Sequence, residues 1–427
     1  MTRQHHPTRK IDSKSFLWNI IGSMISAASS FVLLLCVTRA VGAVEGGIFS
    51  LAFATSQILL TFGKFGVRSF QATDMKEEIS FGVYLQTRVW FCLGMLILGI
   101  VYTLSAGYDL RKSAIFVLVC IIKIADAIED VFHGQLQNTG HLDVAGKLLT
   151  ARNLFTMLIF GISISIMEDL LSASIISAVT TIAVVIFLNI TVTRHYIPIE
   201  FSFEKVQTIY LVKACFPLFL GSFLSLYIYN VPKYAIDFLG SEEEVTYYSI
   251  IFMPAFVINL FSEFIFKPLL TTIASMWADK DFSAFFKTVL KLLANILLIT
   301  FAVIIGAYWI GTQVLSLAYA VDVTPYRTEL VLLMMSGGFS AAVYLLYNVL
   351  TSMRLQKIII VNYFAASIAV SILSYLLVKY SQIHGAVTAY LITEILLFTL
   401  MLAGTYHGYQ KGIRNNESRN YNISGDK

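Results

Sequence analysis

Long apolar stretches alternate with short polar segments along nearly the whole chain. Each stretch has about the 20 residues that a helix needs to cross a bilayer. The pattern predicts an all-α polytopic membrane protein with about 12 transmembrane helices. The predicted spans lie near residues 16–38, 47–69, 83–105, 113–134, 148–167, 171–193, 210–231, 246–268, 288–311, 329–351, 357–379 and 384–406.

Lysine and arginine residues collect in alternate loops. One set of loops carries most of them, including Lys76, Lys147 and Arg194, while the other set carries few, such as Arg111 and Lys379. Because positively charged loops stay on the cytoplasmic side, both termini are predicted to be cytoplasmic. No loop is long enough to form an extramembrane domain, so the spans must carry the function.

The composition supports this picture and narrows the partners. Of the 427 residues, 57% are hydrophobic and 13% are charged, whereas a soluble domain is about a quarter charged. The net charge of +4 is spread between the spans and does not indicate a nucleic-acid partner. The four cysteines lie in apolar segments without paired spacing, which predicts neither disulfides nor a zinc site. The first apolar run is too long for a signal peptide and is expected to be a retained span.

Two loops about half a chain apart resemble each other. RAVGAVEGGIFSLAF begins at Arg39 and IDFLGSEEEVTYYSIIF begins at Ile236, and each opens a span with an aromatic–serine pair. This offset aligns span 2 with span 8 in the sequence. We therefore expect two six-helix lobes around a central cavity: residues 1–200 with spans 1–6, and residues 201–410 with spans 7–12. Residues 411–427 are expected to form a disordered cytoplasmic tail.

Span 4 has the most pronounced polar pattern. At about 100° per residue, its ionisable side chains occupy about a third of the helix circumference. These side chains are Lys123, Asp126, Glu129, Asp130 and His133. Because charges inside a bilayer are costly, this face is expected to line a cavity or to form an internal network. Protrusion of the end of span 4 into the cytoplasm is a third interpretation, and the sequence leaves all three open.

The end of span 2 carries two further cations, Lys64 and Arg68. They are four residues apart, so on a helix they share a face. They either anchor the helix at the membrane surface or bind an anion. Arg88, Arg152 and Lys213 lie just inside the inner ends of spans 3, 5 and 7, where they either snorkel to the surface or line a cavity. The predicted substrate-binding cations are Lys64, Arg68, Arg88, Lys123, Arg152 and Lys213.

Buried acids provide candidates for ion coupling. In span 8, Asn259, Glu263 and Lys267 follow one another at helical spacing. Glu394 lies in the middle of span 12 without a route to the surface, so it is expected to be protonated or paired. The predicted coupling-ion or network residues are Asp126, Glu129, Asp130, His133, Asn259, Glu263 and Glu394.

Sequence motifs for catalysis are missing. The chain has no Walker loop, dinucleotide fingerprint, HExxH or GxSxG motif. We therefore expect a protein that is not an enzyme and that has no cofactor and no metal site. An H⁺ or Na⁺ gradient is the expected source of energy.

Two segments resemble a known family. TRAVGAVEGGIFSLAFATSQILLTFGKFGVRSFQATD resembles the start of the Wzx-type polysaccharide flippases, which belong with the MATE exporters to the MOP superfamily. The matching positions are Arg39, Gly42, Gly47, Phe49, Ser50, Gly66, Arg68 and Asp74. IHGAVTAYLITE is similar to the start of a late span in that family, through Gly385 and Ala386. The span count extends the resemblance to the whole chain, and it is lower than that of lipid II flippases, which disfavours that branch.

The resemblance implies a flippase of the bacterial plasma (inner) membrane. It would move oligosaccharide repeat units on undecaprenyl pyrophosphate from the cytoplasmic to the outer leaflet by alternating access. The implied partners are the lipid-linked oligosaccharide, membrane lipid, and a polysaccharide polymerase or glycosyltransferases, with no nucleic acid and a functional monomer. Since a diphosphate cannot cross hydrocarbon unpaired, lysine or arginine in a hydrated cleft would neutralise it.

Two other functions stay open. A MATE-like ion-coupled antiporter for drugs or metabolites would have an interior dominated by carboxylates such as Asp126, Glu263 and Glu394. An intramembrane polysaccharide polymerase would need a polar catalytic cluster at the outer face, which the sequence does not reveal. The sign of the charges that face the cleft separates the flippase from the antiporter.

Overall fold

A computed structural model describes residues 13–72, 74, 78–197, 202 and 204–425, and this part of the chain contains helices and no strand. The first six long helices are α1 (Ser13–Val41), α2 (Ala43–Lys64), α3 (Phe81–Ser105), α4 (Leu110–Asn138), α5 (Leu142–Met167) and α6 (Leu170–Val184). The next four are α7 (Lys205–Leu239), α8 (Glu242–Ala278), α9 (Phe282–Gly306) and α10 (Arg327–Ser352). The run Gln356–Gly425 breaks at Ser381 and Gln382 into α11 (356–380) and α12 (383–425).

Shorter helices extend three of these elements. The segment Val67–Gln71 follows α2 after a two-residue turn. A π-helical stretch, Val185–Ile190, and the turn Thr191–Thr193 continue α6. The π-helical stretch Ala307–Gly311 and the helix Thr312–Tyr319 continue α9, and a 3₁₀ turn at Thr324–Tyr326 leads into α10.

The twelve predicted spans each coincide with one of the helices α1 to α12 in the described residues, which confirms the predicted fold class. Nine helical segments of the described chain are long and apolar enough to cross a membrane, and one of them, with 59 residues, covers both α11 and α12. Helix α4 is not among the nine, since its polar face interrupts the apolar pattern. The cytoplasmic location of both termini stays a prediction.

The expected disordered tail differs from the structure. Helix α12 continues through the tail to Gly425, so residues 411–425 are helical. The segment contains the good helix formers Lys411, Arg414, Glu417 and Arg419 among asparagine, serine and glycine residues that favour helices less.

The chain divides into two compact units, residues 1–223 and 224–427. The division falls inside α7, whereas the sequence analysis placed the boundary before it, at residue 200. The first part of α7 contributes Leu211 and Cys215 to the core of the first unit. The central cavity stays a prediction.

Helix α4 lies at the centre of the first unit. Helices α2 and α3 both pack on it, and α1 packs along α5. The close approach of α1 and α5 depends on Gly146, because a Cβ atom there would lie 2.5 Å from the backbone carbon of Trp18. The charged face of α4 is therefore surrounded by other helices of its own unit.

In the second unit, α10 packs against α8 and against the run formed by α11 and α12. The break between α11 and α12 brings Gly385 against the end of α11, where an added Cβ would lie 2.1 Å from the carbonyl oxygen of Leu377. Close packing at this break is thus a physical reason for the Gly-Ala motif, and Ala386 is fully buried beside it.

Candidate functional site

Helix α2 ends in a sharp turn that positions two of the predicted cations. Phe65 and Gly66 both adopt left-handed conformations, with φ of 47° and 68°. Gly66 suits this conformation because it has no Cβ, and a Cβ there would lie 2.8 Å from that of Leu218. Lys64 and Arg68 therefore do not share one continuous helix, as their spacing suggested. The turn nevertheless directs both side chains to the same carboxylate.

That carboxylate is Asp130 of α4, which meets cations from three elements. Its Oδ1 lies 3.5 Å from Lys64 Nζ and 3.3 Å from Arg68 Nη1. Its Oδ2 lies 3.1 Å from Nη2 of Arg88, a residue of α3 with no solvent exposure. Arg88 also donates from Nη1 to the carbonyl oxygen of Gly63 at 2.9 Å, which ties α3 to the end of α2.

The deeper part of the α4 face pairs with α5. Arg152 of α5 lies 2.7 Å from Asp126 Oδ1 through Nη1 and 2.6 Å from Glu129 Oε2 through Nε. Lys123 donates to Asp126 Oδ2 at 2.9 Å, and its ammonium group lies 4.4 Å from the ring centre of Phe53. We call the whole group the α4 charge cluster: Lys64, Arg68, Arg88, Lys123, Asp126, Glu129, Asp130, His133 and Arg152.

The α4 charge cluster contains more positive than negative groups. Its five lysines and arginines face three carboxylates, and His133 contacts Glu129 at 3.6 Å. Arg88, Lys123 and Arg152 are almost completely buried with their carboxylates. Lys64 and Arg68 are 39% and 30% exposed and share an Asp130 that already pairs with Arg88. The excess of two positive charges therefore lies at the exposed edge of the cluster.

Beside the buried half of the cluster lies a cavity of about 20 Å³, lined by Lys123, Asp126, Arg152 and Phe53 among others. A cavity of this size holds about one water molecule. A saccharide or a diphosphate does not fit into it. Within the α4 charge cluster, the partly exposed Lys64 and Arg68 are the cations that a larger anion can reach.

Four predicted site residues fall outside the cluster: Lys213, Asn259, Glu263 and Glu394. Lys213 is exposed on α7 and makes no ion pair within the described chain. Asn259 and Glu263 lie on α8, but their side chains fall outside the part of the structure that is described, so their predicted roles stay predictions.

Glu394 lies in the second unit, on α12, and is 4% exposed. The hydroxyl of Tyr390, one turn earlier on the same helix, lies next to this carboxyl, while Glu394 Oε2 has no hydrogen-bond partner among the described residues. Tyr363 of α11 also lies close enough to interact with it electrostatically. The spacing of Tyr390 and Glu394 is readable from the sequence, whereas the approach of Tyr363 depends on helix packing.

Amide side chains that the sequence pattern did not reveal lie beside the exposed cations. Arg68 Nη2 donates to Gln137 at 3.4 Å, and Gln71 and Gln135 hydrogen-bond to each other at 3.0 Å. Gln71 is fully buried. The helical repeat of α2 does not predict the position of Gln71, because this residue belongs to the separate short helix that follows the turn. Amides with charged neighbours are suitable partners for hydroxyl and phosphate oxygens.

A second ion-pair group at the opposite end of the first unit was also missed. Arg111 bridges Glu45 of α2, at 2.7 Å, and Asp169, at 3.0 Å. Asp169 caps α6 by accepting hydrogen bonds from the backbone and hydroxyl of Ser172. These hydrogen bonds, together with Arg111, lower the pKa of Asp169 to about 2. The group ties the ends of three helices together, and the capping residue is its only signal in the sequence.

Comparisons with known proteins agree with this fold. A family model described as "Polysaccharide biosynthesis protein" matches residues 13–277. The capsular polysaccharide biosynthesis protein CapF of Staphylococcus aureus is 22% identical over 391 residues, which cover 88% of this chain and 94% of CapF.

Solved transporter structures have the same fold. A mutant of the Vibrio cholerae MATE transporter VcmN matches with a TM-score of 0.63 and 13% identity, over 94% of this chain and 97% of that one. A MOP superfamily transporter from Pyrococcus furiosus, described as having a binding pocket of reverse polarity, matches with a TM-score of 0.57 and 14% identity. The match covers 95% of this chain and 99% of that one. The transporter fold and the long apolar helices together place the chain among multi-pass membrane proteins. A location in a bacterial plasma membrane is consistent with the family.

Proposed function

The chain belongs to the polysaccharide biosynthesis protein family, and we propose that it is a flippase for lipid-linked oligosaccharide repeat units. In this proposal, the substrate is an oligosaccharide on undecaprenyl pyrophosphate. It moves from the cytoplasmic to the outer leaflet by alternating access. Glycosyltransferases supply the substrate, a polymerase uses it, and the protein acts as a monomer without catalysing a reaction.

One observation carries the proposal: the excess positive charge of the α4 charge cluster lies on Lys64 and Arg68, whose side chains are only partly buried. A diphosphate is the part of the substrate that hydrocarbon excludes most strongly, and lysine and arginine bind phosphate oxygens with charge-assisted hydrogen bonds. By the predicted topology, these cations lie at the cytoplasmic end of the first unit, where the substrate is made.

Asp130 gives this site an exchangeable counterion. Its Oδ1 contacts with Lys64 and Arg68, at 3.5 and 3.3 Å, are longer than the 2.7–2.9 Å of strong charge-assisted hydrogen bonds. Arg88 stays paired with Oδ2 and with the backbone of Gly63. A diphosphate can therefore take over Lys64 and Arg68 while the negative charge of Asp130 remains compensated by the buried Arg88.

The neighbouring amides are suited to the rest of the head group. Gln137, which is exposed, is held by Arg68 at 3.4 Å. We propose that it hydrogen-bonds to the first sugar or to a phosphate oxygen. The relative named for capsular polysaccharide biosynthesis supports a saccharide substrate. It does not specify which sugars are bound.

The MATE-like antiporter is the second candidate, and the second unit supplies the observation that favours it. Glu394 is a buried carboxyl of the kind that binds a coupling ion. The first unit has the opposite character, because its excess charge is positive. A drug exporter for organic cations would place those cations next to Lys64 and Arg68, so the charge distribution favours an anionic substrate.

A charge-neutralising pair of substitutions tests the proposal. Lys64→Gln with Arg68→Gln removes both half-exposed cations, and Lys147→Gln with Arg194→Gln removes two exposed cations of the same unit and of the same predicted membrane side. In cells that depend on this chain for surface polysaccharide, we expect the first pair to lower polymer at least about tenfold, given about 1.5–3 kcal/mol for each charged hydrogen bond. Lipid-linked repeat units should accumulate in the inner leaflet. Normal polymer with the first pair, at normal protein level, would contradict the proposal.

A further inference from the structure

The neighbourhood of Glu394 consists of phenols and apolar rings. The phenol groups of Tyr390 of α12 and Tyr363 of α11 lie next to it. Behind these lie Tyr229 of α7 and Tyr248 of α8. The ring of Phe252 joins this layer, with its centre 5.1 Å from that of Tyr390 and 4.4 Å from that of Tyr229. Tyr347 of α10 lies on the far side of Tyr363, with ring centres 6.4 Å apart.

Glu394 meets no cation among the described residues. Two buried polar atoms in its tyrosine-rich neighbourhood also have no hydrogen-bond partner among those residues. These atoms are Glu394 Oε2 and the hydroxyl oxygen of Tyr248, which is 1% exposed. An ionised carboxylate without a counter-charge is costly in such surroundings. The carboxyl therefore needs a positive ligand or a proton whenever it is shielded from water.

The chemistry of the surroundings selects the proton. Metal cations such as Mg²⁺ and Ca²⁺ take six or more oxygen ligands, and alkali cations likewise need several oxygens around them. The side chains described as interacting with Glu394 are the phenols Tyr390 and Tyr363, and the Tyr390 ring packs against Tyr229 and Phe252. A proton needs one carboxylate oxygen, and Oε2 is available for it.

We propose that Glu394 binds the proton that couples transport to the proton gradient. The carboxylate takes up one proton from water on one side of the membrane, becomes a neutral acid, and is then stable in its dry, tyrosine-lined position. It returns the proton to water when a conformational change hydrates α12 on the other side. The described conformation, with Glu394 buried, is the protonated one. The coupling step rests on the flippase function proposed above, whereas proton binding does not.

Infrared difference spectroscopy on the reconstituted full chain tests proton binding without any substrate. A carboxylic acid has a carbonyl band that a carboxylate lacks. We expect such a band at neutral pH in the wild-type protein and its loss in Glu394→Gln. Glu329→Gln is the matched control in the same unit, because Glu329 contacts His384 at 2.9 Å and therefore has a potential counter-charge, which Glu394 lacks among the described residues. The band should persist in this control. A wild-type spectrum without a band that depends on Glu394 would overturn the inference.

Tyr390→Phe supplies a second variant that keeps Glu394 in place. Because the substitution removes the polar hydroxyl next to the carboxyl, we expect the Glu394 band to shift in frequency while remaining present. A band that neither shifts in Tyr390→Phe nor disappears in Glu394→Gln belongs to another group and would also overturn the assignment.

Transport in proteoliposomes then separates this inference from the proposed function. One pH unit across the membrane drives accumulation by at most about tenfold per proton. We expect wild-type accumulation of lipid-linked saccharide in the far leaflet to rise up to that limit with such a gradient, and Glu394→Gln to transport without responding to it. Equal responses of both proteins would overturn the coupling role. Absence of saccharide transport by a wild-type protein with an intact Glu394 band would contradict the flippase function and leave the proton site supported.

Discussion

Glu129 of the first unit and Glu394 of the second are both glutamates on transmembrane helices, and they are 1% and 4% exposed. Glu129 contacts Arg152 at 2.6 Å and His133 at 3.6 Å within a cluster rich in cations. Glu394 has a tyrosine hydroxyl and no cation among the described residues. The same residue type, buried to a similar degree, therefore lies in two different electrostatic environments. Glu129 has a fixed counter-charge that ties two helices together, whereas Glu394 has none among the described residues, and we propose that it binds and releases a proton instead.

The largest effect is expected from removing the central cation of the first unit. Arg152→Met removes the guanidinium that balances the negative charges of Asp126 and Glu129. Removing one partner of a buried ion pair costs about 3–5 kcal/mol. We expect a large fall in the thermal unfolding midpoint of the purified protein. Lys147→Met, on the same helix but exposed, removes the surface pair with Asp143 and should cost less than about 1 kcal/mol. Equal stability of the two variants would contradict the role of Arg152.

The same substitution in both units sharpens the comparison. Glu129→Gln deprives Arg152 of one of its two acids, and we expect a cost of about 1–3 kcal/mol. Glu394→Gln replaces a neutral acid by a neutral amide of similar size, so stability should change by less than about 1 kcal/mol. Thermal unfolding of the two purified variants measures the difference. If Glu394→Gln proved the more damaging, Glu394 would have a fixed partner and the contrast would fail.

Single neutralisation at the exposed edge should affect binding more than stability. Lys64→Gln or Arg68→Gln removes one half-exposed partner of Asp130, and such pairs contribute less than about 1 kcal/mol to folding. Each variant should bind undecaprenyl pyrophosphate about tenfold more weakly, which corresponds to the loss of one charged contact. Binding measurements on detergent-solubilised protein test this, with Lys147→Gln as an exposed control outside the predicted site. Unchanged affinity in both variants would place the anion elsewhere.

The smallest effect is expected at the opposite end of the first unit. Hydrogen bonds from Ser172 and the proximity of Arg111 lower the pKa of Asp169 to about 2. Its contribution to stability is therefore complete above the ordinary pKa of an aspartate and is lost as the pH falls towards 2. Because Asp169 is 38% exposed, Asp169→Asn should cost less than about 1 kcal/mol at neutral pH. The difference from the wild-type protein should shrink on acidification, and a difference that grows would contradict this assignment.

The span pattern and the polar face of α4 could be predicted because both are local periodicities. Apolar runs of membrane length gave the twelve helices, and the spacing of Lys123, Asp126, Glu129 and Asp130 placed them on one side of a helix. The resemblance to the Wzx-type flippase family in the MOP superfamily is confirmed by the family match and by the transporter folds.

The partners of those charges could not be predicted, because they depend on packing between helices. Sequence spacing gave no sign that Arg88 and Arg152 would meet different acids of α4, or that Gly66 would interrupt the helix between Lys64 and Arg68. The position of Arg111 between Glu45 and Asp169 likewise joins residues more than fifty positions apart. The roles of the predicted substrate and coupling residues stay predictions.

Translocation by purified protein is the most direct test of the central claim that Lys64 and Arg68 receive the diphosphate of a lipid-linked saccharide. Proteoliposomes containing undecaprenyl-pyrophosphate-linked saccharide would report transfer between leaflets through the access of an added lectin. The account predicts transfer by the wild-type protein and by Lys147→Gln with Arg194→Gln, and at least about tenfold slower transfer by Lys64→Gln with Arg68→Gln. Equal transfer by all three proteins would contradict it.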